Sequence, residues 1–246
     1  MNQTIILVTG ANGGIGFEVA TQLLSDASKH VLLGSRSAER GGQAVKDLQS
    51  RGLPGTVELL QLDMSSQDSI LAAAKRVESE HGRVDAVINN AAIAIPTGSL
   101  FEQLDSAFRT NATGPAFLVE VFEQLLKKST ATTPRIVNVT SGAGSISLRL
   151  DSTHPTHGQK VVPYRTSKVA LNMISACQAV EYGPLGWKVF CYNPGFTASN
   201  LSGFNKEENG AQPTSAGAKP IVDMVNGKRD EDHGRFCNCD GSYCPW

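Results

Sequence analysis

Charge is scarce in this chain of 246 residues. Only 18% of positions are Asp, Glu, Lys or Arg, against a usual ~25%. The signs also cancel: 22 basic residues face 23 acidic ones, for a formal net charge of −1. A nucleic-acid-binding protein needs a basic excess, and none is present. No apolar run approaches the ~18 residues of a membrane-spanning helix, so no membrane partner is expected. Met1 to Thr4 carry no positive charge and the first apolar run is short, so no secretory signal is read there. The five cysteines, Cys177, Cys191, Cys237, Cys239 and Cys244, are an odd number and do not read as a disulfide framework. A cytoplasmic protein with reduced thiols is the expectation. Neither His154-x-x-His157 nor Cys237-x-Cys239 with Cys244 matches a usual zinc pattern, so no metal is expected.

Apolar residues are plentiful, at 40%, and their pattern alternates between two periods. Short, wholly apolar runs suit strands buried on both faces. Ile5–Val8 is such a run, and further strands are read at Val31–Leu33, Val57–Leu62, Ala86–Ile88, Arg135–Val139 and Lys188–Tyr192. Between them lie helical patterns at Ile15–Ser25, at Ser65–Glu80 behind a Ser-x-x-Asp start, along Leu100–Lys128, bent or broken near Gly114-Pro115, and at Tyr164–Tyr182. Strand–helix alternation of this kind predicts a single α/β domain over residues 1–246, a doubly wound parallel sheet with helices on both faces. Ligands then bind beyond the carboxyl ends of the strands. Two irregular segments, Leu148–Pro163 and Phe196–Gly217, follow strands and hang over that face; the second is expected to act as a substrate lid.

The chemistry-bearing residues fall where that rule places them. Thr9-Gly10-Ala11-Asn12-Gly13-Gly14-Ile15-Gly16 follows the first strand and opens a helix. Glycines permit a tight turn and close approach to a phosphate, toward which the helix aims its free N–H groups. The second strand ends on Ser35 and Arg36, where a carboxylate would hold the ribose hydroxyls of NAD. A guanidinium there suits a 2′-phosphate instead, which favours NADPH over NADH; Arg40 is a second basic residue nearby. Tyr164 and Lys168 are one helical turn apart, so the ammonium can lower the phenol pKa toward a useful range. Ser141, just past the fifth strand, can hydrogen-bond a substrate oxygen. Asn111 is a poor helix former inside a helical stretch, which marks it as solvent-facing or part of a site.

Taken together, Thr9-Gly10-x-x-x-Gly14-x-Gly16, Asn89-Asn90-Ala91-Ala92, Asn111, Ser141, Tyr164-x-x-x-Lys168 and Asn193-Pro194-Gly195 resemble, in order and spacing, the short-chain dehydrogenases/reductases. The resemblance runs from Thr4 to Trp246. The ending, Gly234-Arg235-Phe236 through Asp240-Gly241 to Pro245-Trp246, is similar to the last strand of fungal carbonyl-reductase-like members. The resemblance implies a Rossmann-like fold and assigns roles. Gly10, Gly14 and Gly16 would hold the pyrophosphate, with Asn12 and Ile15 from the same loop. Ser35 and Arg36 would meet the adenosine ribose and its 2′-phosphate. Asp63 and Met64 would flank the adenine, and Asn90 and Ala91 would line the adenosine side. Tyr164 would be the general acid–base, and Lys168 would bind the nicotinamide ribose. Ser141 would orient the substrate, and Asn111 would hold a water in a proton relay. Pro194, Gly195 and Thr197 would shape the nicotinamide pocket.

Three departures stand out: Gly13 where many NADPH-preferring relatives are basic, Ala92 where glycine is usual, and a long interval between Ser141 and Tyr164. The expected activity is hydride transfer between NADPH and a ketone or aldehyde, or the reverse on an alcohol. The same site could instead serve epimerisation, dehydration or cyclisation of a natural-product intermediate, or a nonenzymatic NADP-binding sensor. A homodimer or homotetramer is implied, because relatives commonly pair through the long helix and the Tyr164 helix.

Overall fold

The computed structural model describes residues 3–131 and 133–246. Met1 and Asn2, within the stretch read above for a targeting signal, lie outside the described residues, as does Thr132. In chain order the elements are β1 (Thr4–Val8), α1 (Gly14–Leu23), β2 (Lys29–Ser35), α2 (Ala38–Ser50), β3 (Thr56–Gln61), α3 (Gln67–His81), β4 (Ala86–Asn89), α4 (Leu100–Phe108), α5 (Gly114–Lys127), β5 (Arg135–Val139), α6 (Ile146–Leu150), α7 (Val162–Tyr182), β6 (Lys188–Asn193), α8 (Thr214–Val225) and β7 (Phe236–Asn238).

The strands form one sheet in the order β3-β2-β1-β4-β5-β6-β7, and every pairing is parallel. Alternation along β1 shows why its residues are apolar throughout. Ile6 and Val8 join the core beneath α1, α2 and α8, whereas Ile5 and Leu7 join the core beneath α3, α5 and α7. The chain winds outward from β1 to β3 and returns to place β4 on the other side of β1. That reversal opens a crevice between the carboxyl ends of β1 and β4.

The stretch Leu100–Lys128 is interrupted directly before Gly114-Pro115, in keeping with the expected bend or break there. It divides into α4 and α5 around a π-turn at Arg109–Thr113, and Gly114-Pro115 opens α5. Several elements differ from the sequence reading. Helix α2 went unread because Gly41-Gly42 interrupts its pattern. Gly41 is there for packing: a Cβ on it would lie 2.4 Å from Leu59 Cδ1 and 2.8 Å from Ser35 Cβ. Helix α3 is capped by Ser66, whose side chain accepts from Ser69 N, one residue later than expected. Helix α8 was also unread; it carries Pro220 in its interior and takes in the last residues of the expected lid. Among the described residues no helix is long and apolar enough to cross a membrane.

Candidate active site

The site begins at the switch point. Gly10 and Gly14 adopt φ of 64° and 55°, a region that favours glycine. A Cβ on Gly10 would lie 2.8 Å from Ala91 Cα, and one on Gly16 would lie 2.4 Å from Asn90 Nδ2. The loop after β1 and the exit of β4 touch because those two positions lack side chains. Asn90 Nδ2 donates to Thr9 O at 2.9 Å and Gly10 O at 3.3 Å, while Thr9 Oγ1 accepts from Asn90 N at 2.9 Å and Ala91 N at 3.0 Å. Asn90 is therefore a staple on the glycine loop. The residue capping α1 is Gly13, which offers no side chain to the first-turn N–H groups, so these face the crevice as anion donors.

At the exit of β2, Arg36 and Arg40 border the same cleft. Both are exposed, and among the described residues neither guanidinium has a hydrogen-bond or ion-pair partner. Ser35 sits elsewhere than expected. It is buried and its hydroxyl donates to Ser37 O at 2.9 Å, so it shapes the turn that presents Arg36 and does not face the cleft. Asp63 Oδ1 accepts from Ser65 N at 2.9 Å and Ser65 Oγ at 2.7 Å. Met64 follows, with its carbonyl oxygen 2.1 Å from where a Cβ on Gly114 would sit.

Tyr164 and Lys168 share one face of α7. Lys168 Nζ lies 5.7 Å from the Tyr164 ring centroid and donates to Val139 O at 2.9 Å. Burial pushes the phenol pKa up to about 12, and a hydrogen bond with Ser141 works against that rise. Burial pushes the Lys168 ammonium down to about 8. In this arrangement desolvation dominates the phenol, and the group that opposes it is Ser141. Ser141 Oγ also accepts from Ala143 N at 3.1 Å.

Asn111 sits in the π-turn and is fully buried. Its Oδ1 accepts from Ile93 N at 2.9 Å, and its Nδ2 donates to Ile93 O at 2.8 Å and Ser167 Oγ at 3.0 Å. The side chain clamps the loop after β4 to α7. Its amide thus joins Ile93 to Ser167 across the site.

Most of the expected residues border one cleft. The exceptions are Gly16, Ser35, Asn111, Ser141, Gly195 and Thr197. Gly16 makes room for Asn90, and Ser141 reaches the site through Tyr164. Gly195, at φ 70°, turns the chain. Thr197 is buried, with its hydroxyl donating to Pro194 O at 2.8 Å, so only Pro194 of that trio borders the cleft. The segment after β6 is knit to itself, with Ala198 N donating to Gln212 O and Gln212 N to Phe196 O, both at 2.9 Å. It rests on the glycine loop: Ser199 Cβ lies 3.3 Å from the position of a Cβ on Gly14.

Arg165 went unread. It is buried; Nη2 donates to Thr156 O at 2.7 Å and Nη1 to Ala143 O at 3.3 Å. Burial, with Arg149 nearby, lowers its pKa. It ties the long segment before α7 to the Ser141 turn. No spacing signalled it, because its partners are backbone carbonyls.

The site fits a dinucleotide: a cradle that a side chain would fill, free helix N–H groups, and two unpartnered guanidiniums one strand away. Comparison with known proteins agrees. A family model described as short chain dehydrogenase matches residues 4–210. The chain is 37% identical over 227 residues to "Short-chain dehydrogenase anuI" of Penicillium roqueforti, covering 90% of this chain and 88% of that protein. It is 30% identical to "Short-chain dehydrogenase/reductase tropE" of Talaromyces stipitatus, covering 100% and 98%. Its fold is similar to that of an NADPH-bound carbonyl reductase from chicken fatty liver, with TM-score 0.84, 24% identity and full coverage of both chains. The carbonyl reductase Sniffer of D. melanogaster is similar too, with TM-score 0.80, 22% identity and full coverage of both.

Proposed function

Because the chain belongs to the short-chain dehydrogenase family of oxidoreductases, we propose that it is an NADPH-dependent reductase of ketones or aldehydes. The observation that carries this reading is the Tyr164 phenol, hydrogen-bonded with Ser141 and one turn from Lys168, at the end of a cleft whose far side presents Arg36. When bound, the nicotinamide nucleotide supplies the hydride. The chain does the rest. The uncapped N–H groups of α1 hold the pyrophosphate. Arg36 and Arg40 pair with the 2′-phosphate, which a carboxylate would repel. Ser141 orients the substrate oxygen, and Tyr164 gives that oxygen its proton. Lys168 binds the nicotinamide ribose, and Pro194 bounds the nicotinamide pocket. The segment Phe196–Gly217 covers the site and excludes water.

Burial raises the Tyr164 phenol pKa, which keeps the group protonated at neutral pH, the form that gives a carbonyl oxygen its proton; the same site runs the reverse reaction on an alcohol. One structure of similar fold, an NADPH-bound carbonyl reductase, supports the same choice of cofactor and substrate class. The same reading takes the protein as a cytoplasmic homodimer or homotetramer acting on a small carbonyl compound or its alcohol.

The test is a panel of carbonyl compounds followed by loss of NADPH absorbance, run on the parent and on Tyr164→Phe. The parent is expected to oxidise NADPH with at least one compound. The variant should still bind NADPH while turnover falls by ~10²–10⁴-fold. Binding without turnover by the parent overturns the reading, as does undiminished turnover by the variant.

A further inference from the structure

A second cluster lies at the opposite end of the sheet. β2 delivers Arg36 to the cleft from its carboxyl end; near its amino end stands His30. β3 pairs beside it in parallel, with Leu32 opposite Glu58, so His30 and Glu58 are diagonal neighbours on one face. The last residue of α3, His81, closes over them. Glu58 Oε1 is 2.8 Å from His81 Nε2 and 3.8 Å from His30 Nε2, and one ligand atom from each residue fits within a 4.8 Å span. The rings of His30 and His81 are 5.1 Å apart.

The tautomer of His30 can be read from its surroundings. Gln3 Nε2 donates to Ala27 O at 2.9 Å and Lys29 O at 3.2 Å, which orients the amide and leaves Gln3 Oε1 as an acceptor. Thr56 Oγ1 gives its one proton to that oxygen at 2.9 Å. The Thr56 oxygen therefore accepts from His30 Nδ1, 2.7 Å away, so the ring proton sits on Nδ1. His30 Nε2 is then a bare lone pair. It is buried without a hydrogen-bond partner and faces a carboxylate oxygen. Glu58 Oε1 is already engaged by His81 Nε2 at 2.8 Å, so the lone pair of His30 Nε2 is left without a donor. Arg76 does not resolve this. Its Nη2 lies 3.8 Å from the other oxygen, Oε2, while its Nε pairs with Glu80 at 2.9 Å and its Nη1 donates to Leu59 O at 2.7 Å. Oε1 is left facing the two histidines.

We propose that His30 Nε2, Glu58 Oε1 and His81 Nε2 form a structural binding site for a zinc-type divalent cation. Two imidazoles and a carboxylate are a zinc donor set, with metal–ligand distances of roughly 2.0–2.2 Å that put neighbouring donors about 3.3 Å apart. The separations of 2.8 and 3.8 Å lie on either side of that value. Binding moves the His81 proton from Nε2 to Nδ1, and water completes the coordination sphere. The Nδ1–H to Thr56 contact is the outer hydrogen bond that zinc-bound histidines usually carry. The cation joins β2, the edge strand β3 and the end of α3. It takes no part in the reaction at Tyr164, which lies beyond the other end of the strands. The three ligands come from three separate elements, so no local spacing betrays them.

Tag-free, chelator-treated protein is titrated with Zn²⁺ against a chromophoric indicator, and with Co²⁺ by visible absorption. One equivalent of Zn²⁺ per chain is expected, with a tetrahedral Co²⁺ spectrum lacking a thiolate charge-transfer band. Zn²⁺ should also raise the thermal midpoint, since a ligand that binds the folded state stabilises it. His81→Ala and Glu58→Gln should each lose the equivalent and the thermal shift, with an unchanged far-ultraviolet circular dichroism spectrum. Cys239→Ser should keep both. Absence of stoichiometric binding by the parent overturns the proposal. So does binding that survives in the His81 and Glu58 variants or is lost in Cys239→Ser. Should those variants fail to fold, a thiolate band in the parent, or no thermal shift with Zn²⁺, overturns it alone.

Discussion

Lys168 is 1% exposed and its Nζ donates to Val139 O. Its pKa falls from an ordinary 10.5 to about 8 because burial disfavours the charge. Two outcomes follow. The pH profile of kcat/KM reports groups of the free enzyme, so carbonyl reduction should decline above about pH 8 as Lys168 deprotonates. In Lys168→Arg that limb should disappear, because a guanidinium stays charged. Stability should move the other way. Between about 8 and 10.5 the unfolded chain binds more protons than the folded one, so the contribution of this group to stability rises with pH. Below about 8 its burial penalty, on the order of 3 kcal/mol, is present in full. Lys168→Met should therefore gain stability relative to the parent at pH 7, and urea denaturation should show that gap closing toward pH 10. Arg36 belongs to the same scale. Arg36→Asp exchanges an unpartnered guanidinium for a charge that repels a 2′-phosphate. The ratio of kcat/KM for NADPH over NADH should fall by at least ~10-fold, the equivalent of one lost charge-assisted hydrogen bond.

The π-turn at Arg109–Thr113 joins sequence to site at the level of elements. π-turns often mark functional positions in helices, and this one buries Asn111 where it can hold Ile93 and Ser167 together. Gly114 follows at once and lets the Met64 carbonyl pass against α5. Gly114→Ala would place a carbon 2.1 Å from that oxygen, and backbone on both sides leaves no flexible group to yield. A loss of about 1–3 kcal/mol is expected in urea denaturation. KM for NADPH should rise as well, because Asp63 and Met64 border the cleft. The proline and glycine beside this turn were legible as a bend, and Asn111 as an oddity. That the helix would add a residue to its turn was not legible, since the pull comes from Ile93 and Ser167, both distant in sequence. Helix α2 was missed for a related reason. Its glycine pair reads as a break until β3 and Ser35 are seen packed against Gly41.

At the scale of the whole molecule, the switch point between β1 and β4 decides which loops share a cleft. The helices that flank the site carry apolar residues that stand largely in solvent: Phe101 on α4 is 82% exposed, and Met173 and Val180 on α7 are 65% and 78% exposed. These faces suit the proposed homodimer or homotetramer. Sedimentation should find an oligomer, and Val180→Asp should shift it toward monomer. A parent that sediments as a monomer rejects that assembly.

Read alone, the chain of residues settled the parallel sheet, the order of its strands along the chain, and most of the cleft. Those follow from hydrophobic period and from glycine, tyrosine and lysine spacings, which act over a few residues. Folding decided what Ser35, Asn90, Asn111, Thr197 and Arg165 do, and that His30, Glu58 and His81 meet. Ser35 and Thr197 are turned inward by backbone carbonyls two and three residues away, a matter of local chain path; the others answer to partners farther along the chain, which only packing brings within 3 Å or so of each other.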